Sequence, residues 1–206
     1  METQPVEKKD FFSFIRSKLK ILVSLLFIIL ISISIYSWLK YKSNIKKTDL
    51  SENYIQAKIL LSQKNPNQAL EVLEKIINKK DDTYSILSLY LIIDRQLEKD
   101  EKKILNYFDM VLSINNLKNE DLDLINLKKA IYISNSVGEQ QLLDLLNPII
   151  NADSVWKTQA IKFLADFYYS RKEYSKANQY YSKLIDSKDS NIDQQEINRR
   201  IKAHKK

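Results

Sequence analysis

The fold class predicted is all-α: a membrane-spanning N-terminal helix followed by a stack of about four degenerate helical pairs. Three observations predict it. One glycine and three prolines in 206 residues leave little material for hairpins and strands. An uncharged apolar run occupies residues 21–39. Beyond it, apolar residues recur at the i, i+3, i+4, i+7, i+8 spacing of a half-buried helix in four separate stretches.

The elements follow in order. Residues 1–20 form a short basic tail with Lys8, Lys9, Arg16, Lys18 and Lys20. Residues 21–39, "ILVSLLFIILISISIYSWL", span about 28 Å at the helical rise, close to the thickness of bilayer hydrocarbon. Phe11, Phe12 and Phe14 precede this run, and Tyr36, Trp38 and Tyr41 close it, as expected where amphipathic rings settle at an interface. Around Tyr36 to Lys40 no small-residue A-x-A pattern offers a cleavage site, so the segment reads as an uncleaved signal anchor. Lys40, Lys42, Lys46 and Lys47 make residues 40–49 a lysine-rich stalk. Five basic residues before the anchor against four after it favour a cytoplasmic N-terminus only slightly.

Residues 50–189 carry the four stripes. Ala69, Val72, Leu73, Ile76 and Ile77 form the first, and Ile104, Tyr107, Phe108, Val111 and Leu112 the second. Leu142, Leu145, Leu146, Ile149 and Ile150 form the third, and Ala160, Phe163, Leu164, Phe167 and Tyr168 the fourth. Breaks are expected at 64–68, 98–102, 136–140, 151–155 and 170–174, leaving helices of three or four turns. Pro148 lacks an amide donor and is expected to end or kink its helix. Residues 190–206 are expected to form a solubilising cap helix around Ile192, Ile197 and Ile201, with Lys202 to Lys206 fraying.

Composition excludes several functions. Residues 1–47 hold nine Lys and Arg against three acids, so the remainder carries 24 basic against 23 acidic side chains. The net charge of +7 therefore belongs to the membrane flank and the tail, and no concentrated basic field exists for nucleic acid. Without cysteine there is neither a disulfide nor a thiolate site. The lone glycine, Gly138, excludes phosphate-cradling loops, and the lone histidine, His204, lies at the end of the chain. No nucleophile, base and orienting group share a spacing, so neither an enzyme nor a cofactor or metal site is expected. The acidic clusters Asp81-Asp82, Glu98-x-Asp100-Glu101 and Glu120-Asp121-x-Asp123 fall at predicted helix starts, where carboxylates cap free amides.

The small residues give the pairs a common register. Ala57 is followed twelve residues later by Ala69, and Ala165 twelve later by Ala177. Leu164-Ala165-x2-Tyr168 and Ala177-x3-Tyr181 resemble the L-G/A-x2-Y and A-x3-F stretches of the tetratricopeptide repeat, a 34-residue pair of helices crossing at small residues. Ala130 and Leu142 keep the offset with one small member. The whole layout, a short basic tail, one anchor, a lysine-rich stalk and four degenerate repeats, is similar to that of the bacterial ancillary subunits of the Sec translocon.

That resemblance implies a single-pass inner-membrane protein with a cytoplasmic N-terminus and a periplasmic repeat domain. Its implied partners are translocon subunits and periplasmic chaperones or their clients, with no cofactor. A periplasmic scaffold for envelope assembly or division, and a cytoplasm-facing adaptor, share the layout; oligomeric state is left open. In the family's register the inward-facing positions are Tyr54, Lys58 and Leu61 in the first unit and Lys162, Asp166 and Tyr169 in the last. Tyr54 and Lys58 stand where a chaperone-tail clamp has Lys and Asn, which disfavours that ligand. In "LADFYYSRKEYSKANQYYSKLI", residues 164–185, Tyr168, Tyr174 and Tyr181 are expected in the core, leaving Tyr169 and Tyr180 for recognition.

Overall fold

The computed structural model describes residues 9–186 and 193–203. Among the described residues there are nine helices and no strand. They are α1 (Lys9–Ser62), α2 (Pro66–Ile77), α3 (Tyr84–Asp94), α4 (Glu101–Leu112) and α5 (Asn119–Ile133), then α6 (Glu139–Asn151), α7 (Lys157–Ser170), α8 (Tyr174–Asp186) and α9 (Gln194–Ala203). The first eight residues of the basic tail, Ser187 to Ile192, and the terminal His204 to Lys206 lie outside the described residues.

The chain divides into two units, Met1–Glu52 and Asn53–Lys206. In the first, α1 is long and apolar enough to cross a membrane. No residue of its most apolar stretch is buried, unlike the core helix of a soluble domain. Ser24 and Ser32 donate their hydroxyls to the carbonyls of Ile21 and Ile28 at 2.8 Å each. Both polar groups are thus satisfied inside the helix, as an apolar solvent requires.

In the second unit every helix from α2 onward packs against its neighbours in sequence. The four stripes form the interior, each member buried or half-buried. Ala57, Ala69, Ala130, Ala165 and Ala177 are all 0 % exposed. The α7 and α8 backbones approach closely where Ala165 and Ala177 meet the core that runs from Leu127 of α5 to Ile197 of α9.

Two of the three acidic clusters cap a helix start. At α5 the cap position is Lys118 with no side-chain cap, Glu120 and Asp121 lie in the first turn, and Asp123 instead accepts from Ser154 Oγ at 2.6 Å. Asp81 Oδ1 accepts from the amides of Thr83 (3.0 Å) and Tyr84 (2.8 Å), while the Asp81 amide donates to Ser85 Oγ at 2.9 Å. Ser85, fully buried, passes its hydroxyl to the carbonyl of Ile76 at 3.0 Å, tying the start of α3 to the end of α2. Asp100 accepts from the amide of Lys102 at 2.9 Å at the start of α4, and Pro66 occupies the first turn of α2, where its missing donor costs nothing.

Helix ends are less conventional. Lys64, Gln96 and Lys172 sit in the left-handed region at φ 61°, 51° and 63°. Each is followed by an amide that reaches five residues back: Asn65 to Leu60 O, Leu97 to Ile92 O and Glu173 to Tyr168 O, at 2.9 to 3.0 Å. This is the Schellman closure normally filled by glycine. Lys64 and Lys172 lie seven residues after Ala57 and Ala165, so the repeated offset extends to the backbone stop.

Helix α6 runs through Pro148 and ends at Asn151, where the break expected at 151–155 begins, so the proline removes one internal hydrogen bond without ending the helix. One boundary differs from expectation. Lys202 belongs to α9, which continues to Ala203.

Candidate protein-binding face

The six candidate residues lie on two helices, Tyr54, Lys58 and Leu61 near the end of α1 and Lys162, Asp166 and Tyr169 on α7. Tyr54 is half-buried, its ring 6.1 Å from that of Tyr84, while Lys58 is exposed and Leu61 half-buried. Near the other end, Lys162 Nζ lies 2.6 Å from Asp166 Oδ2 one turn away on α7. The other oxygen of Asp166 accepts from Tyr181 Oη of α8 at 2.6 Å and from Arg200 Nη1 of α9 at 2.9 Å. Arg200 Nη1 also donates to Tyr181 Oη at 2.8 Å, and its guanidinium lies 5.1 Å from the centre of the Tyr169 ring. The structure thus brings Lys162, Asp166 and Tyr169 together.

The sequence reading leaves Tyr169 and Tyr180 for recognition, and the packing corrects that picture. Tyr180 stacks on Tyr168 with ring centres 5.5 Å apart and planes 17° from parallel. Tyr169 is half-buried, edge-on to Tyr174 and Tyr181 beneath Arg200. Tyr168 and Tyr181 are core residues as expected, 2 % and 1 % exposed, and their hydroxyls reach carboxylates at the rim, whereas Tyr174, also expected in the core, is only half-buried at the first position of α8. The physical reason is that rings crowded near two small residues find each other before they find solvent.

A second charged cluster adjoins the stacked pair. Glu139, in the first turn of α6, accepts from Tyr168 Oη at 2.8 Å and from Lys176 Nζ of α8 at 2.8 and 3.0 Å. Lys176 also meets Glu173 at 2.9 Å. The Lys176 ammonium, with help from the Tyr168 hydroxyl, holds the Glu139 carboxyl below its ordinary range. Burial, reinforced by Glu139, pushes the Tyr168 phenol up, so it stays a neutral donor. The same pairing recurs where Tyr107 of α4 donates to Glu74 of α2, again with the phenol raised, burial first and the carboxylate second. These are structural clasps between helices. Sequence spacing hides Glu139, Lys176 and Arg200, because each acts on a helix other than its own; the one local hint is the offset that makes Tyr168 and Tyr181 core residues.

Exposed large apolar side chains in this unit are Ile55, Ile59, Leu87, Ile131 and Val155. All lie on α1, α3, α5 or the turn into α7. Among the described residues, α2, α4, α6 and α8 expose none. Among these residues no group of three His, Cys, Asp or Glu is arranged to hold a metal ion.

The chain matches no family model, no curated protein and no solved structure.

Proposed function

We propose that this protein is a membrane-anchored protein-binding module whose second unit is an α-solenoid of four degenerate tetratricopeptide-like pairs. The observation that carries the reading is the one-sided surface. Among the described residues α2, α4, α6 and α8 leave no isoleucine, leucine or valine fully exposed, while α1, α3 and α5 expose Ile55, Ile59, Leu87 and Ile131 and the turn before α7 exposes Val155, so the apolar side chains open to a partner lie on one set of helices. The shared offsets from Ala57 and Ala165 to their partner alanines and to left-handed Lys64 and Lys172 support a repeated unit. Such stacks offer an extended face to partners.

In this reading α1 anchors the chain in the bacterial inner membrane with the N-terminus cytoplasmic and the repeat unit periplasmic. There it serves as an ancillary subunit of the Sec translocon, linking secreted proteins to periplasmic chaperones. It carries out no catalysis and needs no cofactor.

Photo-crosslinkers placed at Ile29 in the anchor and at Lys58 in the first pair, followed by mass spectrometry, test the assignment. Translocon subunits from Ile29 and chaperones or secreted clients from Lys58 are expected. Recovery of division proteins instead would assign a scaffold of envelope assembly, and cytoplasmic proteins at Lys58 would reverse the topology.

A further inference from the structure

Helix α9, QQEINRRIKA, has two isoleucines among polar residues and a narrow seat on the last pair. Ile197 is buried and Ile201 half-buried. By contrast α6 is held by four buried side chains, Leu142, Leu146, Ile149 and Ile150. Beside Ile197 and Ile201 the contact is polar: Arg200, with Asp193 and Glu196 of its own segment, lines a small recess against Lys162, Asp166 and Tyr181 of α7 and α8.

Removing one partner from a charge pair is costly when it leaves a buried charge alone. Here neither side is left alone. Asp166 keeps Lys162 at 2.6 Å and Tyr181 at 2.6 Å, and Arg200 keeps Glu196 at 2.5 Å within its own helix. The side chains of Arg200 and Asp166 retain 32 % and 36 % of their exposure, so water can replace each for the other. The charged groups of the seat therefore keep partners with or without α9, and only the contacts of Ile197 and Ile201 are lost on its release. Helix α9 also covers two of the six candidate recognition residues, Asp166 and Tyr169, while Lys162 stays exposed beside Asp166.

We propose that α9 is an internal pseudo-ligand: it fills a peptide seat on α7 and α8 whose outside ligand is an amphipathic helix presenting an aliphatic residue and, three positions later, an arginine. Ile197 and Arg200 have that spacing, one turn apart on one face. The inference rests on the reading of this unit as a protein-binding module, and it adds the chemistry of the ligand and a built-in competitor. Tethering gives α9 an effective concentration of order millimolar, so even a weak seat stays filled in the free protein.

The test uses the full chain and its own segment as probe, a fluorescein-labelled peptide of residues 193–203, DQQEINRRIKA, titrated by anisotropy. The double variant Ile197→Asp, Arg200→Glu releases the tethered helix. It is expected to bind the peptide saturably, and wild type about tenfold or more weakly, because its competent fraction is small. Adding Asp166→Lys to the double variant should abolish binding, and a peptide with Arg200→Glu should not bind. Hydrogen exchange should show α7 and α8 still protected in the double variant. No peptide binding with those helices protected overturns the proposal; loss of their protection on release overturns it equally, since α9 would then be a structural cap. Because the probe is the chain's own helix, failure here leaves partner capture at Lys58 untouched, and the converse also holds.

Discussion

Replacing Lys172 by glycine should make the protein more stable, although it deletes a side chain and introduces the residue that most disfavours order. Lys172 lies at φ 63°, where the Cβ of an L-residue crowds its own backbone. That conformation costs an L-residue about 1–2 kcal/mol, while the extra freedom of glycine in the unfolded chain returns roughly 0.5–1 kcal/mol. The net expected gain is about 0.5–1 kcal/mol. The backbone closure itself, Lys172 N to Tyr169 O at 3.0 Å and Glu173 N to Tyr168 O at 2.9 Å, needs no side chain and should persist. Lys64 and Gln96 share the geometry and lie far along the chain, so the triple variant should gain roughly 1.5–3 kcal/mol if the sites are independent. Urea unfolding of the full chain in detergent micelles, followed by circular dichroism, measures the difference. Lys172→Ala is the control: it keeps the strained Cβ and should stay within about 0.5 kcal/mol of wild type. A Lys172→Gly variant that is less stable than the alanine variant would refute the strain argument.

Two further outcomes follow from packing and charge. Ala177→Leu forces extra carbon into a site that is 0 % exposed and should cost about 1–3 kcal/mol; a melting temperature equal to wild type would show that the α7 and α8 crossing is loose. The Glu98 carboxyl accepts from the amides of Asp100 (2.9 Å) and Lys99 (2.8 Å) and from Lys103 Nζ at 2.9 Å, and the Asp100 amide and Lys103 bring it down to about 2. A depressed carboxyl contributes stability that is complete above its unfolded value of about 4.3 and is lost as pH falls toward 2. Glu98→Gln should therefore flatten the acid limb of the stability profile between those pH values, and an unchanged limb would remove Glu98 from the account.

Much of the fold is legible in the sequence because helix formation and its apolar period are local. The four stripes and the acidic starts at Asp81 and Asp100 depend on residues within two or three turns of each other, and the alanine offsets span a single short connection between neighbouring helices; the structure places them as expected. The helix ends at Lys64, Gln96 and Lys172 are harder to read, since the usual glycine signal is absent and lysine or glutamine takes its place. Of the candidate site, the sequence marks Lys162, Asp166 and Tyr169 as sharing one helix face but not what covers the last two.

The sequence by itself determined an apolar anchor-length helix, a set of short helices with one buried face each, and the small residues where two of them cross. Only the tertiary structure decided that Arg200 lies across Asp166 and Tyr169, that Tyr168 and Lys176 converge on Glu139, and that Tyr180 stacks rather than waits for a ligand. The physical reason is range. A stripe is set by 3.6 residues per turn, whereas a clasp between Arg200 and Asp166 depends on the placement of α7, α8 and α9 together, which no single segment encodes.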